Sequence, residues 1–451
     1  MKIITQANKS ILSVLRPMKL SAPSDRLMHY CVETPVEEGV LLYNLLTMEM
    51  VLLTQKEYQH RLAHPYLKDH WFTVPADTNE KELADLVKWV LKSRQKKSEA
   101  ITGYTIFPTT DCNARCFYCF ELGRSRIPMT EETAHQVADY IASHCGEEKV
   151  NLCWFGGEPL YNKGVIEIIC NSLREKGIAF TSRAISNGYL FDEETVKTAV
   201  EDWNLKQVQI TLDGTEKIYN KVKAFIYREG SPYQVVMENI GHLLKQGVRV
   251  NIRLNMDMHN AENLLELVDD LAGRFQEQKG LSIYAHHLFD GNRPMAELHS
   301  EAEWKLRDEA MCRLNEKIAA YGMARRNGIP KRYKTNFCMA DSGHAVTILP
   351  NGEIGLCEHF SESEFIGHID REGFDQDVIK SWQERIPEIP ECATCFYYPY
   401  CRQLKKCASG SVCFELIRLD HRRKTQRSMV CEYEKWKGTA VETGEDEMEL
   451  C

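Results

Sequence analysis

Three cysteines stand close together in the stretch TTDCNARCFYCFE, as Cys112, Cys116 and Cys119. Their C-x-x-x-C-x-x-C spacing offers three thiolates, one fewer than a closed iron-sulfur or zinc site normally takes. The spacing therefore predicts a metal centre whose last ligand comes from elsewhere. Zinc is the main alternative to iron-sulfur, but a zinc site needs a fourth ligand nearby. The candidate for that ligand, His135, lies inside a predicted helix, which disfavours zinc.

A second and denser group of cysteines begins at Cys338. This residue is followed by thirteen residues, Gly352, four residues and Cys357. The other members of the group are Cys392, Cys395, Cys401, Cys407, Cys413 and Cys431. Cytosolic thiols are kept reduced, so we interpret the spacing of these cysteines as metal ligation before disulfide pairing.

Bulk composition limits the partners and the compartment. The chain has 451 residues, 43% of them hydrophobic, so its length allows two or three domains. A formal charge of -9 argues against a nucleic-acid partner, which would require gathered Lys and Arg. We find neither a signal-peptide core nor an apolar run of membrane-spanning length, so we expect a cytoplasmic protein without a membrane partner.

The middle of the chain must position the first cysteine group. Six short apolar runs alternate there with amphipathic helical patterns. The six runs are ITGYTIFPT, KVNLCWFGG, IAFTSRAISNG, VQITLDG, VRVNIRLN and LSIYAHHLF. This order predicts the α/β class, with a parallel sheet closed into a partial (β/α)6 TIM-like barrel. The motifs that follow the strands would meet at the mouth formed by the carboxyl strand ends.

Four of these motifs resemble the radical S-adenosylmethionine (SAM) superfamily. They are DCNARCFYCFE, WFGGEP from Trp154 to Pro159, AISNG from Ala184 to Gly188, and TLDG from Thr211 to Gly214. The resemblance covers about residues 100 to 310. It implies that the three cysteines hold a 4Fe-4S cluster and that S-adenosylmethionine chelates the remaining iron. Reduction would then cleave the cofactor to methionine and a 5'-deoxyadenosyl radical, which abstracts hydrogen from the substrate.

The same resemblance assigns cofactor-binding roles to residues at the strand ends. Gly156 and Gly157 would let the backbone approach the methionyl group, and Glu158, which Pro159 follows in the motif, would accept from its ammonium. The remaining candidates are Ser186, Asn187 and Asp213 for ribose or methionyl groups, Tyr118 near adenine, and Arg253 for the carboxylate.

The C-terminal cysteines resemble the SPASM extension of radical SAM enzymes, which carries two auxiliary 4Fe-4S clusters. The pattern implies one cluster on Cys392, Cys395, Cys401 and Cys431, and another on Cys338, Cys357 and Cys407, which makes three clusters in all. Here the last close pair is separated by five residues, RQLKK, where the family usually has three. Cys413 is therefore either a substitute for Cys407 or a fourth ligand beside it, and Cys312 is a weaker candidate. Without a fourth ligand, that cluster could bind a substrate thiolate directly.

The N-terminal segment shows three short strand patterns followed by helical KELADLVKWVLKSRQKK. It resembles the winged-helix peptide-recognition domains that bind a leader peptide as an added strand. The alternative is a structural cap on the barrel. We thus expect a recognition-like domain at 1–95, a radical SAM barrel at 96–310, a SPASM domain at 311–437 and an acidic tail at 438–451.

Together these features predict a maturase of ribosomally made precursor peptides, of the sactipeptide or ranthipeptide type, that forms a thioether. An external electron donor of flavodoxin or ferredoxin type would serve it. Carbon-carbon or carbon-oxygen crosslinking is a close alternative. A further alternative is an anaerobic sulfatase maturase, in which an Asp base follows the cysteine matching Cys357; here Glu358 takes that place as the candidate catalytic residue. A metal scaffold that only binds a partner is the non-enzyme alternative.

Overall fold

The structure is a computed structural model. It describes residues 1–18, 25–94, 100–227, 229–288, 301–325, 328–336, 338–359, 364–401, 404–407, 413 and 415–443. The expected domain boundary at 95/96 and the last eight residues of the expected acidic tail lie outside these ranges.

The N-terminal part combines short strands and helices. Its strands are β1 (Lys2–Thr5), β2 (Arg26–Leu27), β3 (Cys31–Val36), β4 (Gly39–Asn44), β5 (Glu49–Leu53) and β6 (Thr73–Val74). Its helices are α1 (Lys9–Leu15), α2 (Gln55–Gln59), α3 (Pro65–Asp69) and α4 (Glu80–Arg94). Strands β3, β4 and β5 are the three expected from the sequence, and β1 completes a four-stranded antiparallel sheet in the order β1-β5-β4-β3.

This N-terminal sheet shares its hydrophobic core with the C-terminal region. Buried residues of β4 and β5 lie in one apolar cluster with Phe396, Met429 and Tyr433. The Lys88 ammonium on α4 donates to the Tyr398 carbonyl at 3.0 Å and lies over the Tyr398 ring. The N-terminal part is therefore packed into the protein by apolar burial, and removing it would expose the side chains it covers.

The central part is the predicted alternation of strands and helices. Its strands are β7 (Gly103–Thr109), β8 (Val150–Gly156), β9 (Phe180–Ser186), β10 (Leu205–Leu212), β11 (Arg249–Met256) and β12 (Leu281–His287). Its helices are α5 (Glu131–His144), α6 (Lys163–Glu175), α7 (Glu193–Glu201), α8 (Glu216–Lys223), α9 (Pro232–Lys245), α10 (Ala261–Phe275) and α11 (Glu301–Ala320). All six strands are parallel and adjacent in chain order, so the predicted α/β class is confirmed.

Apolar and polar side chains alternate along the strands, and this alternation explains why helices cover the outer face of the sheet. In β10, Val208, Ile210 and Leu212 are fully buried, whereas the intervening Gln209 and Thr211 are only partly buried. Because side chains alternate between the two faces of a strand, the apolar set packs against the helices and the polar set faces inward. The barrel is open, since β12 and β7 are not neighbours in the sheet.

The C-terminal region extends the same sheet, which the sequence did not predict. Its strands are β13 (Ala345–Ile348), β14 (Glu353–Gly355) and β15 (Gly367–His368), and its helices are α12 (Gln376–Gln383) and α13 (Glu415–Thr443). Strand β13 pairs in parallel with β7, and β14 and β15 follow antiparallel, so the described residues contribute nine strands to this sheet.

Two expected boundaries differ from the observed elements. The boundary at residue 310 falls inside helix α11, which continues to Ala320. The tail expected from residue 438 begins inside α13, which extends to Thr443. Among the described residues, no helix is both long enough and apolar enough to cross a bilayer.

The contact between β7 and β13 predicts a specific defect. A Cβ on Gly103 would lie 3.0 Å from the Ala345 Cβ, so Gly103→Val should push β13 away from β7. We expect amide hydrogen exchange at residues 345–348 to become at least about tenfold faster, since strand pairing protects those amides. Gly164→Val adds the same atoms where nothing lies within 4 Å and serves as the control. Unchanged exchange in Gly103→Val would contradict the pairing.

Candidate active site at the carboxyl ends of the strands

The loop carrying Cys112, Cys116 and Cys119 begins where β7 ends, and backbone hydrogen bonds hold it against the end of β8. The Gly157 N–H donates to the Thr109 carbonyl at 3.1 Å, and the Glu158 N–H donates to the Asp111 carbonyl at 2.9 Å.

The two glycines of the GGEP motif are required by this close approach. Gly156 has φ +114°, and an added Cβ would lie 2.4 Å from the Thr109 carbonyl oxygen. On Gly157, a Cβ would lie 2.2 Å from the Asp111 carbonyl oxygen. A larger residue would therefore collide with the cysteine loop. The sequence analysis assigned the glycines to a close approach by the methionyl group, whereas the close neighbour in the structure is the loop itself.

Glu158 is fully buried at the end of β8. Its carboxylate accepts from the Ser186 hydroxyl and the Asn187 N–H, each at 2.8 Å, and from the Leu160 N–H at 3.3 Å. Burial raises the pKa of Glu158 to about 7, although these hydrogen bonds oppose the shift. The carboxylate thus joins the ends of β8 and β9. The Asn187 amide also donates to the Asn113 side-chain oxygen at 2.6 Å, in the cysteine loop.

Tyr118, Asp213 and Lys223 form a buried polar group on the other side of the loop. The Tyr118 hydroxyl donates to Asp213 at 2.8 Å, and the Lys223 ammonium lies 3.1 Å from Asp213 and 3.0 Å from the Tyr118 oxygen. Only 5% of the Lys223 side chain and 2% of the Asp213 side chain are exposed. Burial alone would lower the pKa of Lys223, but Asp213, together with Tyr118, Cys116 and Tyr219, raises the pKa above its usual value. Asn255 also donates to Asp213, at 3.2 Å.

Lys223 also holds the cysteine loop, through its backbone carbonyl. The Lys223 carbonyl accepts from the Arg115 N–H at 2.8 Å and lies 3.9 Å from the Cys116 sulfur. The pattern TLDG drew attention to Asp213 but not to Lys223, because a lysine ten residues farther along, at the end of a helix, has no distinguishing spacing. Its burial is visible only in the fold.

Arg253 lies on β11, on the face that turns into the barrel. Its guanidinium is 3.3 Å from the His286 ring on β12. Burial, and secondarily the Arg253 charge, lower the pKa of His286 to about 4. Arg253 therefore places a cation, and His286 a neutral ring, within the barrel.

Cys338, Cys357 and Cys407 come together beside the barrel. Burial first, and then the neighbouring Glu358, Cys338 and Cys407, raise the pKa of the Cys357 thiol to about 12. Glu358 also contributes to the raised pKa of Cys153 on β8, after burial. The next residue, His359, packs on Phe120 with ring centroids 4.6 Å apart. Phe120 directly follows Cys119, so the two cysteine-bearing segments are in contact.

Cys413 lies with the other C-terminal cysteines. Burial raises the pKa of the Cys395 thiol, and the Cys401 and Cys413 thiols raise it further. The Arg418 guanidinium lies 3.7 Å from the Cys413 sulfur. The cysteine spacing predicts that Cys413 joins Cys338, Cys357 and Cys407. In the structure, Cys413 instead lies near Cys395. Cys431, expected beside Cys392, Cys395 and Cys401, lies on α13.

The thiols of the three groups suit iron-sulfur clusters in number and kind. Within the described ranges, no three Cys, His, Asp or Glu side chains are already arranged to hold a metal ion. A cluster would therefore draw the thiols of each group together as it forms, since metal binding and local folding are coupled. The first group has the donor set for such a cluster on one short loop, tied to the barrel at both sides.

An open parallel barrel with a three-cysteine loop after its first strand defines a class of cofactor-dependent α/β enzyme. Residues 106–271 match the Radical SAM superfamily. The chain therefore contains a radical SAM domain, a domain that works with S-adenosylmethionine and a 4Fe-4S cluster in the enzymes that carry it.

Similar proteins cover different parts of the chain. The GTP 3',8-cyclase of Clostridium perfringens is 27% identical over 320 residues, which are 66% of this chain and 93% of the cyclase. The uncharacterized protein MJ0907 of Methanocaldococcus jannaschii is 24% identical over 274 residues, 60% of this chain and 88% of that protein. Native anSMEcpe with bound AdoMet has a TM-score of 0.54 at 16% identity, over 75% of this chain and 99% of anSMEcpe. The structural similarity confirms the partial-barrel fold.

The buried lysine provides a test of the site's construction. Lys223→Met would leave the Asp213 carboxylate buried without its cation, which typically costs about 3–5 kcal/mol. We expect a clearly lower thermal midpoint and weaker retention of the cluster held by the cysteine loop. Lys221→Met, on the exposed side of the same helix, is the matched control. Adding Asp213→Asn to Lys223→Met should restore part of the stability, and a Lys223→Met protein as stable as the control would rule out this role.

Proposed function

We propose that the protein is a radical SAM peptide maturase that forms a thioether between a cysteine sulfur and an acceptor carbon of a ribosomally made precursor peptide. In this proposal Cys112, Cys116 and Cys119 hold the catalytic 4Fe-4S cluster, and the C-terminal cysteines hold two auxiliary clusters. When bound, the first cluster and S-adenosylmethionine supply a 5'-deoxyadenosyl radical for hydrogen abstraction. The electron for cleavage comes from an external donor of flavodoxin or ferredoxin type.

The contact between His359 and Phe120 is the observation that carries the proposal. It brings the segment after Cys357 against the loop that carries the first cysteine group. A peptide between these segments would have its acceptor carbon near the radical source and its thiol near the second group, where three cysteines leave one coordination position for it. Glu358 would then take the thiol proton. The net change removes two hydrogen atoms from the peptide: one goes to the 5'-deoxyadenosyl radical, and the other leaves as the thiol proton and one electron. An auxiliary cluster held by the C-terminal cysteines would supply the acceptor for that electron.

A peptide substrate is also supported by the relatives of the fold. A structure of native anSMEcpe with bound AdoMet and Cp18Cys peptide has a TM-score of 0.53 to this chain over 75% of its length. The cyclase relatives, named for a reaction of GTP, match the chain at low identity. The shared core of the N-terminal sheet and the C-terminal region gives a leader peptide a fixed surface from which its core segment can reach the barrel.

Anaerobic reconstitution tests the enzyme function. With three 4Fe-4S clusters we expect about 12 iron per chain. Reduction with dithionite in the presence of S-adenosylmethionine should give 5'-deoxyadenosine, measured by liquid chromatography. Replacing Cys112, Cys116 and Cys119 with Ala should abolish this product and leave about 8 iron. Replacing the buried Cys145, Cys153 and Cys170 with Ala is the control. Deoxyadenosine formation by the triple variant of the loop would contradict the proposal.

Product analysis separates the alternatives. A cysteine-containing peptide encoded beside the gene should lose two hydrogens and one alkylatable thiol if a thioether forms. Loss of two hydrogens with the thiol intact would indicate a carbon-carbon or carbon-oxygen crosslink instead. Conversion of Cys or Ser to an aldehyde would indicate formylglycine formation.

The two edge strands of the N-terminal sheet indicate where a leader peptide would bind. Of its two edge strands, β3 carries Pro35, and its Glu33 carbonyl accepts from Gln426 of α13 at 2.9 Å. No backbone hydrogen bond joins β1 to a described residue outside β5. We therefore propose that the leader pairs with β1.

Ile3→Pro tests this edge, because Ile3 lies on β1 opposite Val51 and proline removes a backbone N–H from this strand. We expect at least about tenfold weaker leader binding by fluorescence anisotropy, with deoxyadenosine formation retained. Ile3→Val keeps the N–H and is the control. Unchanged or tighter binding by Ile3→Pro would show that the leader binds elsewhere or displaces β1.

A further inference from the structure

We infer that Cys413, and not Cys431, is the fourth ligand of the cluster held by Cys392, Cys395 and Cys401. This inference rests on the proposed function, in that it assumes auxiliary clusters. It differs from the ligand set implied by the spacing of the cysteines.

Cys413 and Cys395 lie at the same end of α13. A cavity of about 260 Å³ lies between the segment around Cys395 and the first turns of α13. Its lining residues are Glu391, Thr394, Cys395, Phe396, Glu415, Arg418, Leu419 and Arg422. Arg418 reaches both this cavity and the Cys413 sulfur, which is 3.7 Å from its guanidinium. Cys413 is therefore at the same end of α13 as Cys395.

Cys431 lies much farther along α13 than the residues that face the segment after Cys395. The Tyr397 ring stacks on His421 with centroids 4.0 Å apart, so the segment just after Cys395 is level with the second turn of the helix. Cys431 is ten residues beyond His421, which is about 15 Å along the helix axis at 1.5 Å per residue. The thiolates of one cluster surround a cage only a few ångströms across. Cys431 is therefore too far along the helix to share a cluster with Cys395.

The surroundings of Cys431 are occupied by a different interaction. Two residues before Cys431 and six residues after it, α13 packs on the N-terminal sheet. The Thr34 hydroxyl lies 3.6 Å from the Met429 sulfur, and Lys437 forms an ion pair with Glu38 at 2.8 Å. Met429 is fully buried there. This stretch of α13 serves as a packing surface, and drawing Cys431 toward Cys395 would require the helix to unwind.

The two C-terminal cysteine groups pack against different hydrophobic cores. Cys392 and Cys395 pack against the N-terminal hydrophobic core, whereas Cys357 and Cys407 pack against the barrel core. With Cys413 beside Cys395, the group on the barrel core keeps three cysteines, Cys338, Cys357 and Cys407. An iron left open there is the position that the proposed function reserves for the substrate thiolate.

Two arginines and two glutamates line the cavity, and the two arginines are the groups that suit an anionic cluster. Four thiolates on a 4Fe-4S core carry net negative charge, and Arg418 and Arg422 both line the cavity. Arg422 is held over the Phe396 ring at 4.4 Å, next to Cys395 in sequence. These guanidiniums would stabilise the charged cluster and leave Glu391 and Glu415 toward the outside.

Alkylation of the unaltered, reconstituted protein tests the inference without any substitution. Under anaerobic conditions, iodoacetamide should not label Cys413 until iron is removed with a chelator. The labelling of Cys431 should be the same before and after chelation, as read by peptide mass spectrometry. Protection of Cys431 by iron, or labelling of Cys413 in the iron-loaded protein, would overturn the inference.

Matched substitutions give a second readout. Cys413→Ser should lower the iron content from about 12 to about 8 per chain, and Cys431→Ser should leave it at about 12. Circular dichroism establishes that both variants are folded. Loss of iron in Cys431→Ser, or full iron in both variants, would refute the assignment. Deoxyadenosine formation, measured in parallel, depends on the first cluster alone, so its absence in the unaltered protein would count against the proposed function and not against Cys413.

Discussion

The geometry of the candidate site depends on how the cysteine loop is held between the end of β8 and the end of α8. On one side, the backbone of Gly157 and Glu158 is hydrogen-bonded to Thr109 and Asp111, at a separation that excludes any side chain on the glycines. On the other side, the Lys223 carbonyl accepts from Arg115. Both anchors use main-chain groups and therefore leave the thiols available as ligands.

The buried charges reinforce these anchors. Glu158 joins β8 to β9 through Ser186 and Asn187, and the pair of Asp213 and Lys223 joins the end of β10 to the segment that holds the loop. A buried carboxylate without partners would cost several kcal/mol, so each of these contacts is strongly specified. The residues that the motifs single out at the strand ends are therefore needed to build the mouth of the barrel, whether or not each one also contacts the cofactor.

The sequence predicted those parts of the fold that rest on local patterns. Apolar runs of strand length, separated by amphipathic helices, identified all six parallel strands, because a strand buried in a parallel sheet leaves a continuous apolar signature. The three N-terminal strands were found in the same way. Strands β13 and β14 were not predicted, since they are only four and three residues long and owe their pairing to β7, more than two hundred residues earlier. Lys223 and the position of Cys413 likewise depend on contacts distant in sequence.

The two C-terminal cysteine groups differ in what supports them, and this has a consequence for the whole chain. Cys357 follows β14, which is part of the barrel sheet, whereas Cys392 and Cys395 pack with residues of the N-terminal sheet. The cysteine-rich region therefore lacks a separate core and instead joins the two others. Cluster formation would tighten each end of this connection separately, because ligation fixes the loop that carries each group. The region is thus suited to hold the N-terminal sheet, which we propose binds the leader, at a constant position relative to the mouth of the barrel. An enzyme that binds a leader at one site and modifies a core segment at another requires this geometry.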